Sequence, residues 1–366
     1  MMKKENHNLH TDAPIHAGAF IQLHLAEIGM TKKEFAVRLQ RPFNKVLMML
    51  NGKKEITPQT AIGIQKILKL DAQVILNLQT SYSLQIERNK KTNGNLDADI
   101  ELLEHYNYSF MVKNGWIAET RKKEERVEKL RSFFNVATLH AVNHLALYNP
   151  QFRQVSSGEK KISKEAIAIW LRRGEILAAD IKTAPYNEKL LRAILPEVRK
   201  MTTTDPREFF PGLVSILADC GIALVVEKYV SRSYVSGATF WLSGEKAVAM
   251  LSLRGKYADS FWFSLFHELA HVILHKKGNV MLNYTDQTLR DEFDAEADEF
   301  ASNLLIPKKL YNAFVKKSSF YSGDIKMFAK NLEIDPGIIV GRLTHNGYLN
   351  HGQFNDLRTQ YEISDE

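Results

Sequence analysis

The stretch FWFSLFHELAHVILH, residues 261–275, constrains this chain more than any other. Wound at about 100° per residue, it places Phe263, Leu265, Phe266, Leu269, Ala270, Val272, Ile273 and Leu274 around most of a helix circumference, which marks a rod covered on nearly all sides. One stripe stays polar: Ser264, His267, His271 and His275 follow one another at intervals of three or four residues, with Glu268 on the flank. A buried helix keeps such groups only if something compensates them. The order His-Glu-Leu-Ala-His is the HExxH pattern, in which two imidazoles one turn apart reach a single Zn²⁺ at roughly 2.0–2.1 Å and the glutamate between them acts as a base.

A catalytic zinc ordinarily takes three protein ligands, so a third must come from nearby chain. Downstream, DEFDAEADEFASNLLIP (291–307) sets Phe293, Ala297, Phe300, Ala301 and Leu304 on one apolar helical face. Glu296 falls on the edge of that face, whereas Asp291, Glu292 and Glu299 read as a solvated acidic surface. Glu296 is therefore the expected third ligand, since a partly buried carboxylate needs a compensating charge. His275 competes for that role, but a straight helix puts it about 12 Å from His267 along the axis, which assigns it to the surroundings of the site rather than to the ion. The metzincin glycine and third histidine are absent, residue 274 being leucine.

FHELAHVILH followed by EADEFASNLLIP resembles the ImmA/IrrE family of metallopeptidases, and the likeness runs from roughly Trp170 to the C-terminus. The resemblance implies zinc ligands at His267, His271 and Glu296, a catalytic glutamate at Glu268, and cleavage of a repressor-like regulatory protein. Asp298 departs from the family, which often has asparagine there. Tyr234 and His275 are the candidates for a further oxyanion donor.

The rest of the composition agrees with a soluble multidomain protein. At 366 residues and 45% hydrophobic content the chain can bury sizeable cores. A lone Cys220 excludes an internal disulfide and a cysteine-ligated zinc, and fits a reducing cytoplasm. No run reaches the roughly twenty apolar residues of a membrane helix, and the polar, basic start (residues 1–16) has no secretory pattern, so the expectation is a cytoplasmic protein without a membrane partner. The net charge of +7 is compatible with nucleic acid without deciding for it.

Residues 17–80 are more specific. AFIQLHLAEIGM reads as an amphipathic helix; Thr31 caps TKKEFAVRLQ, with Phe35, Ala36 and Leu39 inward; RPFNKVLMMLNG follows with Val46, Met49 and Leu50 inward and Gly52 as a stop. Thr57 and Pro58 open a fourth helix, and DAQVILNLQTSY supplies a fifth. The tight connection between the second and third describes a helix-turn-helix whose third helix enters a major groove. LNGKKEITPQTAIGIQKILKL and ILNLQTSY resemble the HigA-like branch of XRE-type DNA-binding proteins. This chain departs from it in having Gln40 in the turn and Arg41, Pro42, Phe43, Asn44 and Lys45 at the start of the recognition helix. Asn44 suits an adenine edge, Arg41 or Lys45 a guanine or a phosphate, while Phe43 and Met48 suit protein contact.

Residues 81–205 read as a helical connecting region, with ERNKKTNGNLD a plausible hinge. Strands at IALVVEK, SGATFWL and KAVAMLSL precede the motif helix in a peptidase region spanning 206–310. In the last segment, 311–366, FAKNLEIDPGIIVGRL (328–343) echoes FAVRLQRPFNKVLMML (35–50), with Asp335 and Pro336 in the turn and aliphatics where base-reading residues would stand. It reads as a second helix-turn-helix-like unit used for packing or docking.

The expected class is α+β and mostly helical: a five-helix DNA-binding domain, a helical middle and a zincin-like domain with a small sheet. Two functions fit that architecture. One is a DNA-binding regulator whose zinc endopeptidase cleaves a repressor. The other is a HigA-like antitoxin or repressor whose zinc domain only senses a ligand or docks a toxin. Expected partners are a double-stranded operator, a protein substrate, a toxin in the second case, and another copy of the chain in a homodimer.

Overall fold

The computed structural model describes residues 15–89, 96–148, 162–252, 256–275, 280–284, 291–316 and 319–362. The chain divides into two compact units, Met1–Gly94 and Asn95–Glu366. The expected hinge falls largely on residues 90–95, outside the described residues, as does most of the expected N-terminal tail.

The first unit holds α1 (Ala17–Glu27), α2 (Lys32–Arg38), α3 (Phe43–Leu50), α4 (Pro58–Leu68) and α5 (Ala72–Asn89) around a core that includes Ile21, Phe35, Val46, Leu50, Ile64 and Ile75. Its helix starts are those expected: the Thr31 hydroxyl accepts from the Glu34 N–H, and Thr57 caps α4 with Pro58 in its first turn. Gln40 makes the turn. Its left-handed φ of 51° lets the Arg41 N–H return to the Ala36 carbonyl at 3.1 Å, closing α2 and launching α3. The fifth helix runs nine residues beyond the expected boundary at 80, because LQIERN continues its helical pattern without a breaker.

In the second unit a four-stranded sheet has the order β1-β3-β2-β4, from β1 (Ile222–Glu227), β2 (Val235–Ser243), β3 (Lys246–Ser252) and β4 (Met281–Tyr284). β1 is parallel to β3; β2 is antiparallel to both its neighbours. Side chains alternate with the pleat. Ile222, Leu224, Ala247, Ala249 and Leu251 face a core shared with α12 (Ala258–Leu274), while Ala223, Val225, Val248 and Met250 face one shared with α9 (Lys164–Asp180). Both faces are covered, so these strands are near-continuous apolar runs. Gly174 permits the close approach of α9, since a Cβ there would lie 2.1 Å from the Met250 sulfur.

The α9 side is completed by α6 (Leu96–Leu102), α7 (Tyr108–Lys113) and α8 (Lys123–Phe134). On the α12 side pack α10 (Glu188–Lys200), α11 (Pro206–Asp219), α13 (Glu292–Leu305), α14 (Lys308–Val315), α15 (Ser322–Leu332) and α16 (Pro336–His345). Segments expected as a connecting region, a peptidase region and a C-terminal subdomain thus form one unit, because a sheet buried on both faces draws its cover from before and after it in the chain.

The internal echo is a structural one. Glu333 stands at the offset of Gln40, with φ 54°, and the Ile334 N–H returns to Ala329 as Arg41 does to Ala36. The two units differ in what covers the second helix. Ile338, Ile339, Val340 and Leu343 of α16 are buried in the core that holds α12, so this copy is a packing element, as its aliphatic face led one to expect.

Candidate metal centre

The motif helix is covered on almost every side, and His267, Glu268 and His271 are 0%, 0% and 2% exposed. Burial at that level is costly for polar groups without partners, so each partner counts. The His267 and His271 Nε2 atoms face each other at 2.9 Å, and Asp294 Oδ1 lies 3.5 Å from both. These three residues, all buried, bring one ligand atom each within 4.8 Å of the others.

Asp294 is placed by the start of α13. In a capping box with Asp291, its Oδ2 accepts the Asp291 N–H at 3.0 Å while the Asp291 side chain accepts the Asp294 N–H. One carboxylate oxygen therefore caps a helix and the other faces the histidines. Burial works to raise its pKa, but hydrogen bonds with His267, His271 and the Asp291 backbone hold it well below the carboxylate range. The far end of α13 is held too. Arg342 of α16 donates to the Ser302 and Ile306 carbonyls at 2.8 and 2.6 Å, and Arg199 of α10 donates to Leu305 at 3.0 Å.

Glu296 is elsewhere. Its side chain is 64% exposed and meets His275 Nε2 at 3.2 Å, so the acid brought to the histidine pair is Asp294 and not the expected Glu296. The buried stripe of α13 is Asp294, Ala297, Ala301 and Leu305, one face that begins two residues before Glu296 and does not include it. His275 caps α12 in an extended conformation and places its Nδ1 2.7 Å from His271 Nδ1, beside the cluster of His267, His271 and Asp294 rather than in it. Tyr234 precedes β2 in a left-handed conformation, its N–H donating to the Tyr229 hydroxyl at 3.3 Å.

Sequence reasoning missed the partners of these groups. Asp298 Oδ1 lies 2.7 Å from His267 Nδ1, in the α13 turn that follows Asp294. The Thr239 hydroxyl of β2 stands within donating distance of two Glu268 oxygens, Oε2 at 2.8 Å and the backbone carbonyl at 3.0 Å, with its single proton going to the nearer Oε2 when the carboxyl is ionised. Glu268 Oε1 makes no well-formed hydrogen bond among the described residues, although the buried Asn283 side chain of β4 lies close enough to the carboxyl to hydrogen-bond it and help lower its pKa. Gly237 leaves Oε1 its room, since a Cβ there would lie 2.2 Å from it. The hint of these contacts in sequence is Gly237 and Thr239, a residue without a side chain and a buried hydroxyl in the middle of β2.

Burial pushes the Glu268 carboxyl up to about 7, against the lowering effects of His267 and Thr239. His267 is depressed by burial but raised more strongly by Asp294, Asp298 and the charge of Glu268, to about 9. Burial lowers His271, and the neighbouring His267 adds to that effect. The trio suits a divalent cation of borderline softness on its own chemistry: two nitrogens and one carboxylate oxygen, desolvated and convergent, beside a fully buried carboxyl.

In the first unit, Arg41, Asn44 and Lys45 are exposed where α3 begins, and Arg41 donates to Gln59 at 3.2 Å. Phe43 and Met48 share this surface, 38% and 46% exposed. The polar and apolar groups anticipated for the third helix thus stand on it together. No described helix is long and apolar enough to cross a membrane.

Residues 250–334 match the family model described as the IrrE N-terminal-like domain, Peptidase M78. Among solved structures, an addiction module antidote protein of a HigA family from Coxiella burnetii is similar to the N-terminal region. It is 32% identical over 20% of this chain and 80% of its own, with a TM-score of 0.20. No curated protein matches the chain.

Proposed function

From an IrrE N-terminal-like domain at residues 250–334 that carries a complete HExxH helix, we propose that the second unit is a zinc-dependent endopeptidase acting on a regulatory protein. The observation that carries this reading is the fully buried carboxyl of Glu268 beside three convergent ligand atoms. His267, His271 and Asp294 would hold the ion, which when bound supplies a Lewis acid that polarises a carbonyl and acidifies water. Glu268, poised near neutrality, takes a proton from the attacking water and returns it to the departing amine. Thr239 keeps Oε2 in place during both transfers. A site meant only for structure is usually closed by a fourth protein ligand and needs no base, which favours catalysis over a sensor.

The first unit would bring this activity to DNA, with Asn44 reading a base edge and Arg41 and Lys45 contacting phosphate or guanine from α3. The substrate would then be a repressor or similar regulator. Glu268→Gln tests the enzymatic part. The variant should bind zinc and operator DNA as the parent does, yet lose cleavage of co-purifying partner protein by at least about 100-fold. Cleavage undiminished in the variant, or a chelator without effect on the parent, would sink the assignment.

A further inference from the structure

His275 and Glu296 take no part in that mechanism, yet they are joined to the histidine pair. Helix α12 ends at Leu274, and His275 leaves it with φ −110° and ψ 161° while its N–H still returns to the His271 carbonyl at 3.1 Å. This departure from the helix folds the ring back, so that His275 Nδ1 sits 2.7 Å from His271 Nδ1 and His275 Nε2 sits 3.2 Å from Glu296 Oε2. Phe293 packs edge-on against the same ring at 4.9 Å.

Resting on the metal-centre reading, we propose that Glu296 and His275 form a relay that selects the tautomer of His271, keeping its Nε2 lone pair turned toward the ion. The argument is an inventory of donors. A neutral imidazole has one N–H and one lone pair, and an ionised carboxylate only accepts. Glu296 therefore requires the proton of His275 on Nε2, which leaves Nδ1 of that ring as an acceptor. Across 2.7 Å, His271 Nδ1 must then be the donor, and its Nε2 is left bare, facing His267 and Asp294. The opposite assignment would set a lone pair against the Glu296 carboxylate. On the other histidine Asp298 does the same work directly, accepting from His267 Nδ1 at 2.7 Å. Two carboxylates of one helix turn thus orient both imidazoles, one by contact and one through an intervening ring. Glu296 and His275 are positioning residues.

The series Glu296→Gln, Glu296→Leu and His275→Phe in the full chain tests this. Three readouts apply: Zn²⁺ affinity by chelator competition, the absorption spectrum with Co²⁺, and long-range ¹H–¹⁵N imidazole spectra with and without Zn²⁺. Glutamine keeps an acceptor oxygen and should stay within about twofold of the parent, whereas leucine should weaken Zn²⁺ binding about 10-fold and leave the Co²⁺ band shape unchanged. His275→Phe should match leucine, and the double variant should add little to either. In the parent, His275 should be protonated on Nε2 and His271 on Nδ1; leucine at 296 should turn His275 into a tautomer mixture in the metal-free chain. A parent carrying the reverse tautomers, or a leucine variant with unchanged affinity, would overturn the relay. If leucine and glutamine both altered the Co²⁺ spectrum, Glu296 would be a ligand itself and the relay would again be wrong. A parent that bound no Zn²⁺ at all would defeat the metal-centre reading, while the metal-free tautomers would still judge the relay.

Discussion

Single residues around Glu268 carry most of the chemistry, and two of them make sharp predictions. His267 is raised to about 9 in the metal-free protein, so at pH 7.5 its imidazole holds a proton that a cation must displace. Zinc uptake should release about one proton from this ring, and affinity should climb with pH until about 9, then level off. Calorimetric titrations in buffers of different ionisation enthalpy measure that number directly; uptake that ignores pH between 7 and 9 would contradict it. Gly237→Ala addresses the base rather than the ligands. The new methyl would stand 2.2 Å from Glu268 Oε1 and must push the carboxyl aside. Zinc content should persist while proteolysis falls roughly 100-fold, the scale at which an ångström of misplacement is felt. The ligand set shows where reading by residue type stopped. His267, His271 and Glu268 were legible because their spacing is a motif. The third acid is ambiguous by residue type, since several carboxylates share one short helix and Glu296 stands at the edge of its apolar face. At about 100° per residue Glu296 lies some 140° from Ala301, whereas Asp294 lies within about 20° of it, so the centre of the buried stripe pointed to Asp294.

Helices and strands, taken as elements, explain why those side chains meet. α13 presents Asp294 and Asp298 to α12, and it is clamped at its far end by arginines from α10 and α16. The C-terminal helix-turn-helix copy thereby acquires a role without DNA: its second helix carries Arg342, which adds a second bond to the Ser302 carbonyl, already paired with the Ile306 N–H, and bonds the Ile306 carbonyl just past the helix end. Arg342→Met should leave the Ile306 carbonyl without this donor and the Ser302 carbonyl with the Ile306 N–H alone, lower the unfolding free energy of the second unit by about 1–3 kcal/mol, and weaken zinc binding by loosening α13. Urea unfolding and chelator competition would report both effects, and a variant as stable as the parent with full zinc affinity would refute this account of the clamp. Patterning foretold β1, β2, β3 and the motif helix, since each is a long apolar run with turn residues at its ends. β4 escaped because MLNY is four residues long with a polar Asn283 at its centre, too short for alternation to register. Its pairing with β2 depends on tertiary contact instead.

Across the whole molecule, the two units have separate hydrophobic cores: Phe35, Leu50 and Ile64 belong to one, and Trp170, Trp262 and Phe266 to the cores of the other. Among the described residues, the histidine and aspartate cluster lies in the second unit. A ligand stabilises the unit that binds it, by about 4 kcal/mol when present at 1,000 times its dissociation constant, and leaves an uncoupled unit unmoved. Scanning calorimetry of the zinc-loaded chain should therefore show two transitions. Chelation should shift one of them down by several degrees, the shift expected for a few kcal/mol spread over a unit of this size. The transition that stays should be the one lost when a helix-turn-helix core residue such as Phe35 is replaced by alanine. Were both transitions to fall together on chelation, folding of the first unit would be coupled to the metal, and the proposal of a peptidase attached to an independent DNA-binding module would give way to that of a zinc-dependent switch.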